Sequence, residues 1–185
     1  MKMLVISDTH GNLKRACEVF EKLKDVDLLV HLGDHEKDAE DLGRMLGVDY
    51  VSVKGNMDGA MRSEDSRYII DTEYGKIYLT HGHTEGVSGG SYDRLLYRCE
   101  ELGCKAVFFG HTHVPCNEEI DGIRILNPGS ISRPRDGSDG SYAVVHTYED
   151  RIDCSVIYYR TDGGPPRKKP GGGFLRNMLN NSDRF

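Results

Sequence analysis

Met3-Leu4-Val5-Ile6-Ser7-Asp8-Thr9-His10-Gly11-Asn12 reads as a buried strand that breaks into a polar, glycine-bearing corner. Four consecutive apolar residues, two of them β-branched, suit a strand covered on both faces. The same unit recurs along the chain. Leu28 to Val30 leads to Gly33-Asp34-His35, and Tyr50 to Val53 leads to Gly55-Asn56-Met57-Asp58. Ile77 to Leu79 leads to His81-Gly82-His83, and Ala106 to Phe109 leads to Gly110-His111-Thr112-His113.

Helical spacing separates these strands. Leu13, Ala16, Cys17, Phe20 and Leu23 form one apolar stripe after Asn12, which is placed to cap it. Ala39, Leu42, Met45 and Leu46 form a second, and Leu95, Leu96, Cys99 and Leu102, after Ser91, a third. Strand alternating with helix predicts βαβ units. After Gly110 the rhythm changes to strands and turns, at Ile123 to Leu126, Ser141 to His146 and Ile152 to Tyr159, with a hairpin turn at Glu149-Asp150. These later strands predict a second sheet packed on the first. Tyr97 and Phe109 are read as core. Residues 1–160 form one domain, and 161–185 a Gly/Pro-rich basic tail.

The 185 residues carry a formal net charge of −6. A binder of long nucleic acid held by a positive field is excluded on that ground. The tail holds five basic and two acidic residues, so the domain before it carries −9. No apolar run approaches the roughly 20 residues of a membrane span, and the N-terminus lacks a signal-peptide pattern. The expected location is the cytoplasm. Five cysteines with no C-x-x-C pair suggest neither a disulfide framework nor a thiolate zinc site. Phe174, Leu175, Met178 and Leu179 share one helical face of the tail, which is expected to dock on its own core or on a neighbouring subunit of a homo-oligomer.

Seven of the eight histidines lie in or beside the glycine corners, together with aspartates and an asparagine. In an α/β sheet the carboxyl ends of the strands share an edge, so these corners converge. Mixed imidazole and carboxylate donors favour Mn2+, Fe or Zn2+ over Ca2+ or Cu(I), and the inventory suffices for two ions. His31, inside a strand run, is read as core or support, and His146 as structural. Arg133 and Arg135 lie in a stretch that reads as a solvated turn.

D-x-H, G-D, G-N-x-D, H-G-H and G-H-T-H, in this order, resemble the calcineurin-like metallophosphoesterases. The added Asn127-Pro128-Gly129-Ser130 is similar to the small phosphodiesterase branch called YfcE-like. The resemblance covers about residues 1–160. It implies an α+β, or α/β, four-layer αββα sandwich of two packed mixed sheets flanked by helices. It also implies a binuclear centre with Asp8, His10 and His113 on one metal, Asn56, His81 and His111 on the other, and Asp34 bridging. Asp34, Asn56 and His111 would be catalytic, with a metal-bridging hydroxide as nucleophile. Asp58 would orient the Asn56 corner, and Asn127 and Ser130 would stabilise the edge or meet substrate. His35, His83 and Arg133 are candidate substrate contacts. The implied cofactors are two divalent ions, Mn2+ first, with Fe, Zn2+ or Ni2+ as alternatives.

One departure stands out. Many members carry a histidine after the G-N asparagine, where this chain has Met57, and a thioether donates no proton. The implied activity is hydrolysis of a small phosphodiester with a fairly acidic leaving group. The alternatives are a phosphomonoesterase, or an interaction scaffold like the retromer coat subunit that shares the fold.

Overall fold

The computed structural model describes residues 1–59, 64 and 66–161. Among the described residues, ten strands form two five-stranded sheets. The first takes β1 (Lys2–Ile6), β2 (Leu28–His31), β3 (Asp49–Ser52), β9 (Ser141–Thr147) and β10 (Ile152–Tyr158), in the order β10-β9-β1-β2-β3. The second takes β4 (Arg67–Thr72), β5 (Gly75–Thr80), β6 (Ala106–Phe108), β7 (Cys116–Ile120) and β8 (Ile123–Asn127), in the order β4-β5-β6-β8-β7. Each sheet is mixed. β1 pairs with β2 in parallel and with β9 antiparallel; β6 runs parallel to β5 and β8, and the outer strands β4 and β7 are antiparallel to their neighbours.

Three apolar clusters define four layers. Met3, Val5, Val30, Leu32, Ile77, Leu79, Phe108 and Val145 fill the space between the sheets. On the outer side of the first sheet, Leu4, Ile6 and Leu29 pack against Ala16 and Val19 of α1 (Lys14–Lys22) and Leu42 of α2 (Glu36–Leu46). On the outer side of the second, Tyr78 and Val107 pack against Leu95 and Cys99 of α3 (Asp93–Glu101). Alternate residues of β1 therefore serve different layers, which is why its apolar run has no polar break. The fold is the four-layer αββα sandwich.

The sheet partition differs from the sequence reading. β9 and β10 join the first sheet, beside β1, and β5 and β6 belong to the second. β4 and β7 were not expected as strands; both are edge strands with mixed burial, and β7 carries Asn117, Glu118 and Glu119. Asn12 does not cap α1, since Leu13 holds that position and no side chain caps it. Tyr97 is 67% exposed and not core, whereas Phe109 is buried. The β9–β10 turn falls at the expected place, closed by Tyr148 N donating to Arg151 O (2.9 Å). All five cysteines are free thiols. The docking expected of the tail's residues 174–179 lies outside the described residues. Among the described residues, no helix is long and apolar enough to cross a membrane.

Candidate metal centre

The corners after β1, β2, β3, β5 and β6 meet at one edge of the sandwich. Asp8 and Asp34 are almost wholly buried, as are His81 and His113. Much of the backbone carrying these groups is left-handed. Asp8, His10, Asp34, His35, His111 and His113 all have φ between 48° and 80°, a region that non-glycine residues seldom occupy. The loops of Asp8 and His10 and of His111 and His113 share this form, each turning two ligand-type side chains two residues apart.

Close approach of backbone explains two glycines. A Cβ on Gly55 would overlap the carboxylate and backbone nitrogen of Asp34, and one on Gly110 would overlap the Ser7 hydroxyl. The Asp34 corner thus rests directly on the chain that carries Asn56.

One atom from each of Asp8, His10, Asp34 and His113 lies within 4.8 Å of all the others. His113 Nδ1 donates to the Arg133 carbonyl (2.5 Å), so Nε2 is the ring atom that faces Asp8 Oδ1 at 3.2 Å. The other Asp8 oxygen accepts from Ser7 Oγ (2.6 Å) and His111 N (3.1 Å). Asp8 Oδ1 and His10 Nε2 are buried with no hydrogen-bond partner among the described residues. Leaving such atoms bare is costly, and a divalent cation would satisfy both. The donor set therefore fits a metal ion.

A second group lies on the far side of Asp34. His81 Nδ1 donates to the Leu32 carbonyl (2.6 Å), which turns Nε2 toward Asn56 Oδ1 (3.2 Å) and Asp34 Oδ1 (3.4 Å). The His111 ring lies 5.1 Å from that of His81, and His83 lies 5.3 Å from His81. On the first side, His10 lies 5.3 Å from His113 and 5.4 Å from His35. Asp34 presents Oδ2 to His10 (4.0 Å) and Oδ1 to His81.

Burial, then the field of the neighbouring groups, sets the charges. It holds the pKa of His10 and of His111 below the ordinary histidine value, keeping both rings neutral and able to donate a lone pair. Burial opposes ionisation of Asp8, but the contact with His113 and the charges of His81 and His113 bring its pKa below the usual range. Burial also opposes the imidazolium of His113, and the Asp8 carboxylate outweighs it, raising that pKa. A proton and a cation would compete for this gap.

The remaining predicted residues divide. Asp58 is fully engaged, accepting from the backbone N–H of His35 and Glu36 (2.9 Å each) and of Gly55 (2.9 Å), so it ties the Asp34 corner to the Asn56 corner. Asn127 is buried and spends its amide on Gly110 O, Thr112 Oγ1 and Gly129 N. Ser130 is buried and donates to the Asp8 carbonyl (2.9 Å). Both support the edge and neither faces outward. Arg133 touches the site through its backbone carbonyl, with its side chain exposed. Met57 is 63% exposed, and its N–H donates to Asp34 Oδ1 (2.9 Å).

His31, read from the sequence as core or support, belongs to a buried relay beneath the site whose other members, Thr9 and Asp38, sequence reasoning missed. Gly33 N donates to His31 Nδ1 (3.2 Å), His31 Nε2 meets Thr9 Oγ1 (2.9 Å), and Thr9 donates to Asp38 Oδ2 (2.5 Å), which also accepts from Gly11 N (2.8 Å). It joins the loops of Asp8 and Asp34. The signal that could have found it is Asp38, an aspartate in the first turn of a helix four residues after Asp34.

A sandwich whose strand ends gather aspartates, histidines and an asparagine around bare donor atoms defines a metal-binding phosphoesterase. Residues 1–150 match the family model described as the calcineurin-like phosphoesterase superfamily domain. The chain belongs to this superfamily, and with it to the phosphoric ester hydrolases. It is 36% identical over 166 residues to the probable metallophosphoesterase YsnB of Bacillus subtilis (88% of this chain, 93% of the relative). It is 29% identical over 174 residues to the phosphodiesterase YfcE of Escherichia coli K12 (78% and 87%). Among solved structures it resembles a predicted phosphoesterase of Streptococcus pneumoniae TIGR4, at TM-score 0.68 and 29% identity over 85% of this chain and 88% of that one. The Zn2+ complex of Vps29 from Entamoeba histolytica shares the fold at TM-score 0.73 and 23% identity, over 91% and 98%.

Proposed function

We propose that the protein is a phosphodiesterase with a binuclear metal centre, acting on a small phosphodiester. The observation that carries this reading is the position of Asp34, one carboxylate oxygen toward His10 and the other toward His81. In this reading Asp8, His10 and His113 hold one ion, Asn56, His81 and His111 the other, and Asp34 both. Bound divalent ions would supply hydroxide at neutral pH as the nucleophile and neutralise charge on the phosphoryl oxygens; Mn2+ is the expected metal.

The chain's own groups do the rest. His113 and His81 are held in orientation by the Arg133 and Leu32 carbonyls, and Asp58 fixes the two corners against each other. Met57 offers no proton, so His35, His83 or water at the metals would protonate the departing oxygen, and substrates with acidic leaving groups are preferred. The catalytic unit is residues 1–160, in the cytoplasm. Hydrolysis of bis(p-nitrophenyl) phosphate with added Mn2+, by wild type and by Asp34→Ala, tests the reading. Wild-type turnover that is lost in the variant is expected, and a wild-type rate equal to buffer background would overturn it.

The second reading is an interaction scaffold. The exposed Met57 where a proton donor is expected, together with the fold shared with Vps29, favours it. The same assay decides between the two.

A further inference from the structure

We propose that Arg133 and Arg135 form an anion site on the rim of the metal centre, which takes a terminal phosphate carried by the substrate beside its scissile diester. This rests on the phosphodiesterase reading and names the substrate class: phosphodiesters that also bear a phosphomonoester.

The backbone between β8 and β9 is stapled to the metal loops. Ser132 Oγ donates to the carbonyls of Asp8 (3.0 Å) and Thr9 (2.8 Å), and Ser130 Oγ donates to Asp8 O while accepting from Arg133 N (2.8 Å). His113 Nδ1 donates to Arg133 O (2.5 Å), and Arg135 N donates to His113 O (3.1 Å). Pro134 limits φ between the two arginines. A solvated turn needs no such anchoring. Its effect is to hold two Cα positions in fixed relation to Asp8, His10 and His113.

The side chains on this anchored backbone are exposed, and neither guanidinium makes an ion pair among the described residues. Arg44, Arg98, Arg124 and Arg151, by contrast, each reach a carboxylate. The neighbouring acid, Asp136, turns instead to Ser138, accepting from its N (3.1 Å) and Oγ (2.6 Å). Both arginines adjoin the centre through their backbone, Arg133 O accepting from the His113 ring and Arg135 N donating to the His113 carbonyl. Two unpaired cations two residues apart repel each other, and a phosphate between them would remove that cost. The planar guanidinium fork matches phosphate oxygens two at a time.

Two esters that differ only in the extra phosphate test this: thymidine 5′-(p-nitrophenyl phosphate) and its 3′-phosphorylated form, each with Mn2+. Wild type is expected to favour the 3′-phosphorylated ester in kcat/KM by at least about tenfold, the value of one charge-assisted hydrogen bond. In the double variant Arg133→Gln, Arg135→Gln the preference should fall to about one. The backbone contacts are kept, so thermal unfolding should match wild type. A wild type without preference, or a variant that keeps it, overturns the site while leaving the phosphodiesterase reading intact. If neither ester is hydrolysed that reading fails, and binding decides the anion site separately. Thymidine 3′-phosphate titrated into the EDTA-treated protein should shift the amide resonances around Arg133 and Arg135, with a Kd at least about tenfold weaker in the double variant. Equal Kd values would overturn the site.

Discussion

His81 Nε2 stands 3.4 Å from Asp34 Oδ1 and 3.2 Å from Asn56 Oδ1, held there by the hydrogen bond between the ring's Nδ1 and the Leu32 carbonyl. These nitrogen and oxygen atoms converge on one buried gap that a divalent cation would fill. Adding Mn2+ to EDTA-treated protein should therefore raise Tm by about 5 °C or more when the metal is in large excess over its Kd. Calorimetry with and without metal measures it, and an unchanged Tm would contradict the placement of these donors.

Asp38 is predicted to govern metal affinity without touching metal. It anchors Thr9 and Gly11, the residues on either side of His10. Asp38→Ala should weaken Mn2+ binding by about 10–100-fold, with the far-ultraviolet circular dichroism unchanged. Titration with a metal indicator checks this.

Gly55→Ala should damage the site from the backbone. The added Cβ meets the Asp34 carboxylate, so either Asp34 or its corner must shift. A loss of activity exceeding about tenfold and a destabilisation of about 1–3 kcal/mol are expected. Activity assay and urea unfolding measure the two separately.

His31 supplies a pH dependence. Complete burial lowers its pKa from the ordinary 6.5 to about 4. As pH falls through 6.5 the unfolded chain takes up a proton at His31 that the folded chain refuses until about 4, so stability is full above this window and is lost across it. The contribution is on the order of 3 kcal/mol. In EDTA, wild type should lose about that much more unfolding free energy than His31→Gln between pH 7.5 and 4.5, a slope difference that urea titrations resolve. Parallel slopes would contradict it.

The five corners were legible because each polar cluster follows a short apolar run, and the strand ends bring them to one edge. The sheet partition was not, since an all-apolar strand such as Met3–Ile6 shows burial on two faces without naming its neighbours. Arg67–Thr72 and Cys116–Ile120 escaped notice because edge strands carry polar residues and lose the apolar signal. Tyr97 was misread because it lies two helical positions from Leu95, about 200° around α3 from the buried stripe. The left-handed backbone at Asp8, His10, His111 and His113 has only a weak signature in residue type, since aspartate and histidine tolerate that region better than most residues but seldom adopt it; the placed loops reveal it. For the same reason Thr9, Asp38 and Ser132, ordinary polar residues in sequence, emerge as supports only once the loops are placed.

In the proposed function Asp34 lies between two metal ions. Elemental analysis of the Mn2+-loaded, desalted protein measures it most directly, with Asp34→Ala alongside. Two ions per chain in wild type and one or fewer in the variant are predicted. A single ion in wild type, or the same stoichiometry in both proteins, would contradict the account.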